Sequence, residues 1–473
     1  MAAISYDYGM IGLGTMGRNL VYNMSDHGFS VAGYDKDPAK VEAFTKASLY
    51  HNVLGASTAE EFVGALKTPR VILMLVPAGP IVDAVIEDLK PLLSPGDLLV
   101  DCGNSYFKDT DRRIKQLASE NLHFMGIGIS GGEAGARRGP SIMPGGNKEV
   151  YERVRPMFEA VAAKVNDEPC VTYLGAGSAG QYVKMVHNGI EYALMQLIAE
   201  TYHLLKECGG LNNDELHAVF TKWNEGALQS FLIEITAEIF AKKDDLTGKH
   251  LVDVILDSAL QKGTGMWTSQ DAMSLHVPVT TIDAAVSMRD LSANKSARVA
   301  AQAQLTGVES AVSIDKNTFI EQVGASLHFA MIVTYAQGMS LLQRASTEYQ
   351  YDLNLAEVAK IWRGGCIIRA ALLEDIRKAL TENPSLPNLL VNPIFAQQLN
   401  TLQESVRKVV QTAVSTGIPM PATTAALTYF DGYRRGWLPA NLIQAQRDYF
   451  GAHTYQRTDQ EGIFHTEWGV KVQ

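Results

Sequence analysis

Cysteine is scarce. Four residues, Cys102, Cys170, Cys208 and Cys366, lie far apart in 473 with no C-x-x-C pair, which indicates neither a disulfide framework nor a zinc module and reads as four small buried hydrophobes. Long apolar runs are missing too: none approaches the roughly 18 residues of a membrane span. The opening Met1-Ala2-Ala3-Ile4-Ser5 lacks the basic n-region and apolar h-region of a secretory signal, so a cytoplasmic location is expected. Basic residues are outnumbered, 41 Lys plus Arg against 51 Asp plus Glu, for a formal charge of −10. That balance argues against broad electrostatic binding to nucleic acid or to an anionic membrane, so an anionic ligand must be met by positive charge gathered locally. Charged residues make up 19% and apolar ones 46%, the latter close to the globular norm of about 45–50%. At about 150 residues per domain the length suggests two or three domains.

What is present begins with alternation. Residues 8–11, 30–34, 71–76, 98–101 and 122–127 are short, β-rich and mostly non-alternating, as expected of strands covered on both faces. Candidate helices, such as 17–27 and 80–92, lie between them. This βαβ pattern predicts a doubly wound, Rossmann-like parallel sheet over residues 1–178. From 179 to 434 the long periodic stretches read as helix, which predicts a large all-α domain. Within it Leu211-Asn212-Asn213-Asp214-Glu215-Leu216 matches Leu353-Asn354-Leu355-Ala356-Glu357-Val358. Each copy follows one long apolar helix and precedes another, which suggests an internal duplication. The last segment, 435–473, is read as an irregular tail from Gly436 onward that must dock on something.

Gly12-Leu13-Gly14-Thr15-Met16-Gly17 follows a predicted strand and opens a predicted helix. In that context the glycines permit a tight turn, close approach of a pyrophosphate and close helix packing, with helix N–H donors facing the phosphates. Asp35 ends the second predicted strand after Tyr34, placed to accept hydrogen bonds from an adenosine ribose and to repel a 2′-phosphate. Lys36 beside it could offset that repulsion. Val76-Pro77-Ala78-Gly79 and Cys102-Gly103-Asn104-Ser105 follow later strands, at the sheet edge where ligands bind in such folds.

A second candidate site lies on one helix. Lys184, His187, Asn188 and Glu191 are spaced i, i+3, i+4 and i+7 and share one face. Met185, Val186, Ile190, Ala193, Leu194 and Leu197 cover much of the remainder. A helix apolar nearly all round is buried, and its ionisable groups need partners, so the stripe faces a ligand or forms an internal ion-pair network. A glycine-rich loop from Ser130 through Gly131 and Gly132 to Gly139 exposes backbone N–H groups to a carboxylate and favours a substrate site.

These motifs, with Gln261-Lys262-Gly263-Thr264-Gly265, Trp362-Arg363-Gly364-Gly365-Cys366 and Leu438-Pro439-Ala440-Asn441, the last continuing to His453, resemble the decarboxylating 6-phosphogluconate dehydrogenase family over nearly the whole chain. The resemblance implies oxidation of 6-phosphogluconate at its 3-hydroxyl by NADP or NAD, then loss of CO2 to give ribulose 5-phosphate, a step of the pentose phosphate pathway. It implies Lys184 as the general base and Glu191 as the acid that protonates the enediol carbon. Ser130, Gly131 and Gly132 fall at the substrate carboxylate end, with Asn104, His187 and Asn188 on the hydroxyls and carboxylate. Tyr192, Lys262, Thr264 and Arg289 fall at the phosphate, with Arg447 and His453 contributed by the partner of an obligate homodimer. No metal is expected, because a β-keto acid loses CO2 readily once a cation or donor holds the developing enolate.

Three departures stand out. Where the family usually carries Asn-Arg-Thr, this chain has Tyr34-Asp35-Lys36, which leans the cofactor preference from NADP toward NAD. Met266 stands where many members have lysine, and no role is assigned to it. The extended glycine- and serine-rich tail of some members does not follow Trp468. Two other readings compete: a catalytically silent dinucleotide sensor, and a β-hydroxyacid dehydrogenase acting on a smaller, unphosphorylated acid. Lys184 and Glu191 on one face disfavour the first. The phosphate cluster and the chain length disfavour the second.

Overall fold

The computed structural model describes residues 5–47, 52–308 and 314–469. The expected segments 1–178, 179–434 and 435–473 therefore each include some residues, 1–4, 48–51, 309–313 and 470–473, that lie outside the described ones. The chain divides into two compact units, the first running through Ala426 and the second from Leu427.

The first unit begins with a seven-stranded sheet. Its strands are β1 (Tyr8–Ile11), β2 (Val31–Tyr34), β3 (Val53–Gly55), β4 (Val71–Met74), β5 (Leu98–Asp101), β6 (His123–Ser130) and β7 (Ser141–Pro144), in the order 3-2-1-4-5-6-7. All neighbours are parallel except β6 and β7. Val71 and Leu73 of β4 pack in one core cluster, and Ile72 and Met74 in another. Both faces are therefore covered, which is why these strands read as unbroken apolar runs. Helices α1 (Thr15–Asp26), α2 (Pro38–Ala47), α3 (Ala59–Gly64), α4 (Pro80–Leu89), α5 (Phe107–Ala118), α6 (Gly132–Arg138), α7 (Lys148–Tyr151) and α8 (Arg155–Val161) accompany the sheet. The sequence reading missed β3, the antiparallel β7 and a hairpin of β8 (Lys164–Val165) and β9 (Glu168–Pro169). β3, β8 and β9 are not fully buried and β7 is bounded by a serine and a proline, so none of them stands out as a fully buried apolar run.

From α9 (Ala179–Glu207) onward the described residues form helices and isolated β-bridges only. The succession is α10 (Asn213–Trp223), α11 (Phe231–Ala241), α12 (Thr264–Ser274), α13 (Thr280–Ala293), α14 (Lys295–Gln302), α15 (Lys316–Glu348), α16 (Leu355–Ile361), α17 (Leu372–Glu382), α18 (Pro393–Thr416), α19 (Pro421–Tyr433) and α20 (Ala440–Gly451). The two long helices α9 and α15 pack directly on each other. The matched asparagines start equivalent helices. Asn212 caps α10 in a reciprocal capping box with Glu215, and Asn354 caps α16 by accepting the Ala356 and Glu357 N–H groups. The segments after these helices meet in a short antiparallel bridge, with Phe231 N–H donating to Arg369 O and Ala371 N–H to Gln229 O.

Two expectations need correction. Cys102, Cys170 and Cys366 are buried, but Cys208 is only partly so; all four thiols are free. The tail is not irregular throughout, because residues 440–451 form α20. Its Leu442, Ile443, Tyr449 and Phe450 remain exposed, so no burial stripe announces the helix in the sequence. No helix among the described residues is long and apolar enough to cross a membrane.

Asp448 organises the second unit. Its side chain has no exposed surface, and it accepts bonds from Thr454 N–H (2.9 Å), Thr466 N–H (3.0 Å), Trp468 Nε1–H (2.9 Å) and His465 Nδ1 (2.8 Å). Burial alone would raise its pKa, but these donors hold the carboxyl well below the usual range. Removing a hub that ties a loop to a helix lowers the cost of local opening. Asp448→Ala is therefore expected to speed tryptic cleavage after Arg457 by about tenfold. An unchanged cleavage rate would show that Asp448 does not hold the tail.

Candidate active site

The chain leaves β1 and turns at Gly12, where φ is 93° and an added Cβ would lie 2.3 Å from Leu75 O. At Gly17 a Cβ would meet Gly12 O at 1.9 Å, so α1 presses directly on the turn. Gly14, the N-cap between them, faces open space. No side chain caps α1, and no acid occupies its first turn, leaving its N–H donors available to phosphate oxygens. Gly14 to Gly17, the loop from Leu75 to Gly79 and the turn from Cys102 to Asn104 line one cleft of about 810 Å³ with Tyr106, Asp109, Ile129, Lys262 and Trp267. Burial beside Asp101 pushes the Cys102 thiol well above its ordinary pKa, which removes it as a nucleophile.

The cleft fits a dinucleotide, and the expected residues Thr15, Met16, Val76, Pro77, Ala78 and Asn104 meet there. Leu13 behaves differently, since its side chain is buried in the core and its N–H donates to Asp35 Oδ2 at 2.9 Å. Asp35 Oδ1 accepts the Asp37 N–H at 3.0 Å, and Lys40 Nζ stands 3.5 Å away. The carboxylate is thus held by backbone donors where the second strand ends. Tyr34 and Lys36 line an adjoining cavity of about 360 Å³ with Ser57, Thr58, Glu60 and Asp88. Lys36 pairs with Asp88 at 2.5 Å, both more than half exposed. Such a surface pair is worth only about 0–1 kcal/mol, so Lys36 is not fixed as Asp35 is.

The polar stripe of α9 lies against β6. A Cβ at Gly128 would sit 2.3 Å from the Lys184 Cβ, so glycine at that place leaves room for the lysine stem. Lys184 Nζ donates to Asn188 Oδ1 at 2.7 Å. His187 Nδ1 is 3.0 Å from that same oxygen and Nε2 is 3.2 Å from Ser130 Oγ. With Asn188 Oδ1 as acceptor, Nδ1 of neutral His187 carries the proton and Nε2 accepts from the serine hydroxyl. Glu191 Oε2 is 3.9 Å from His187 Nδ1. Burial lowers the Lys184 pKa against the pull of Glu191. Burial and then the Lys184 charge push His187 well below its ordinary value. Burial raises Glu191 against Lys184 and Arg289. In each case desolvation leads, and it favours the uncharged form.

Further along α9, Tyr192 meets α12 and α13. A Cβ at Gly265 would fall 2.5 Å from the Tyr192 ring, and the Arg289 guanidinium lies 3.5 Å from that ring's centroid. This close approach gathers Tyr192, Thr264 and Arg289, while Lys262 lines the dinucleotide cleft. Gly131, in a left-handed conformation, caps α6, and a Cβ there would meet Gly365 O at 2.5 Å; Gly132 opens that helix. Arg447 and His453 are exposed residues of the second unit. Arg447 donates to Gln444 Oε1 at 3.1 Å. Sequence reasoning gave no role to Trp362, which is fully buried with its indole edge-on to His187 at 5.7 Å between ring centroids. The only signal was its place in the Trp362-Arg363-Gly364-Gly365 motif.

Comparison with known proteins agrees with this architecture. The family model for the NAD binding domain of 6-phosphogluconate dehydrogenase matches residues 7–175, and that for the 6-phosphogluconate dehydrogenase C-terminal domain matches residues 180–468. The chain is 54% identical over 461 residues to the NADP(+)-dependent, decarboxylating 6-phosphogluconate dehydrogenase of Bacillus subtilis, covering 97% of this chain and 98% of that one. It is 52% identical over 463 residues to the decarboxylating enzyme of Escherichia coli K12, with the same coverages. A solved structure of Plasmodium falciparum 6-phosphogluconate dehydrogenase, described as apo and in complex with NADP+ and with its substrate 6-phosphogluconate, superposes with a TM-score of 0.94 at 44% identity and covers 98% of this chain and 100% of that one. With two family models spanning nearly the full length and relatives above half identity, the chain belongs to the 6-phosphogluconate dehydrogenase family.

Proposed function

We propose that this protein oxidatively decarboxylates 6-phospho-D-gluconate to D-ribulose 5-phosphate and CO2 in the cytoplasm, with a nicotinamide dinucleotide in the 810 Å³ cleft. The observation that carries the reading is the pair Lys184 and Glu191. They lie two turns apart on one buried helix face, and burial drives both toward their neutral forms. A neutral lysine is a base and a protonated glutamate is an acid, which is the combination the reaction needs.

When bound, the dinucleotide supplies the hydride acceptor. Lys184 takes the proton of the 3-hydroxyl as the C3 hydrogen departs with its electron pair, and the resulting ammonium donates a hydrogen bond to the 3-keto oxygen. The C1–C2 bond then breaks, CO2 leaves, and its electron pair passes into an enolate that this cation stabilises. Glu191 delivers a proton to the carbon that lost CO2. Ser130, Gly131 and Gly132 hold the carboxylate end, with Asn104, His187 and Asn188 on the hydroxyls and carboxylate. Tyr192, Lys262, Thr264 and Arg289 hold the phosphate and supply the local positive charge that an acidic protein requires. The tail, residues 435–473, reaches the partner of a homodimer, where Arg447 and His453 complete the phosphate pocket. The helical domain arose by internal duplication.

The direct test is incubation with 6-phosphogluconate and either cofactor, following nicotinamide absorbance and CO2 release together. Absence of reduction with both cofactors would overturn the proposal, and reduction without CO2 would remove the second step. Lys184→Met is expected to lower kcat by about 10²–10⁴-fold while dinucleotide affinity is retained; parallel loss of both would mark a structural role. The pH profile follows from the shifts. Activity falls as pH drops through the lowered Lys184 pKa, because the lysine then charges, and falls as pH rises through the raised Glu191 pKa, because the acid loses its proton. Glu191→Gln is expected to remove the alkaline limb, and its persistence would reassign the acid.

Co-expressing Lys184→Met with Arg447→Ala is expected to restore activity, since one site of the hybrid dimer then has both intact residues. No restoration would place Arg447 in its own subunit's site or in none. At the adenosine end the fixed Asp35 carboxylate favours an unphosphorylated ribose. Asp35→Arg is therefore expected to raise the NADP-to-NAD ratio of kcat/KM by about tenfold, as a charge-assisted contact replaces a repulsion. An unchanged ratio would transfer that choice to Lys36 or Lys40.

A further inference from the structure

Two loops of the dinucleotide cleft converge on a side chain that no motif announces. Arg113, on the inner face of α5, is 1% exposed. Its Nη2 donates to Gly79 O at 2.9 Å, at the end of the loop after β4. Together Nε and Nη2 grip Asp83 in the first turn of α4, at 2.8 Å to Oδ1 and 3.0 Å to Oδ2. The remaining nitrogen, Nη1, faces Asp101 Oδ2 at 3.7 Å and has no hydrogen-bond partner.

Asp101 closes the other half of the arrangement. It ends β5 with no exposed surface. Its Oδ1 accepts the Gly103 N–H at 3.0 Å and its Oδ2 accepts the Ser105 hydroxyl at 2.6 Å, which shapes the turn carrying Asn104. The two loops touch, since a Cβ on Gly103 would lie 3.1 Å from Val76 O. A buried guanidinium is costly to desolvate unless paired, and here both carboxylates that pair with it lie at the roots of cleft-lining loops. A lysine could not span them, because its point charge lacks the planar fork that serves three acceptors at once.

We propose that Arg113 is a positioning residue for the dinucleotide: it sets the spacing between the loop from Val76 to Gly79 and the turn from Cys102 to Ser105, and with it the width of the cleft that receives the nicotinamide half. Loops held beforehand lose less freedom when a ligand seats on them, so affinity for that ligand depends on the tether. The inference rests on the dinucleotide reading of the cleft given above.

The test is fluorescence titration of NADPH and NADH into the intact protein, alongside calorimetric titration of 6-phosphogluconate without dinucleotide. Three chains are compared: wild type, Arg113→Lys, and Asp83→Asn, the last altering a partly exposed carboxylate while keeping its shape. Arg113→Lys is expected to raise the dinucleotide Kd about tenfold and Asp83→Asn about threefold, with the 6-phosphogluconate Kd within about twofold of wild type. Parallel weakening of both ligands, or unchanged dinucleotide affinity, would overturn the proposal. If Arg113→Lys does not fold, Asp83→Asn decides alone. A wild-type chain that binds neither dinucleotide would instead remove the cofactor reading on which the proposal rests.

Discussion

The burial of Lys184 where α9 crosses β6 is the constraint on which the site depends. Gly128 leaves the gap, Asn188 Oδ1 accepts a hydrogen bond from Lys184 Nζ at 2.7 Å, and His187 and Ser130 complete a chain of donors and acceptors. Desolvation disfavours charge on Lys184, His187 and the neighbouring Glu191. The same burial that costs stability therefore moves Lys184 and Glu191, on one helix face, toward their uncharged forms, which the proposed base and acid require. Helix α12 then approaches closely at Gly265, which brings Thr264 beside Tyr192 under Arg289.

The cofactor cleft is built on a different principle. Its walls are backbone rather than charge: Gly12 and Gly17 bring the turn and α1 into contact, and the free N–H groups of α1 supply donors. What holds the opposite wall is ionic: buried Arg113 and Asp101, with the partly exposed Asp83. The end of β2 differs again, with one fixed carboxylate, Asp35, and one weakly paired cation, Lys36. The two regions thus differ in kind: desolvated ionisable groups along α9, and a cleft shaped by close backbone contacts.

Much of this was legible in the residues. The glycine loop, Asp35 at the end of β2 and the i, i+3, i+4, i+7 stripe were all readable, because each depends on local periodicity. The partly buried β3, β8 and β9 and the short β7 were not, nor was α20, whose apolar side chains stay exposed. Arg113 and Trp362 escaped for another reason. An arginine on an amphipathic helix ordinarily reads as a solvated face, and only packing shows it inside.

By itself the sequence determined the alternation of strands and helices, the glycine turn before α1, the polar face of α9 and the family, because short-range spacing carries each of these. Tertiary structure alone decided which groups are desolvated, and therefore which way their pKa values move. It also decided that Leu13 serves through its N–H while its side chain fills the core, and that one buried guanidinium ties together two loops whose attachment points, Gly79 and Asp101, are far apart along the chain. Burial and long-range pairing depend on what the rest of the chain places around a residue, and no local pattern encodes that.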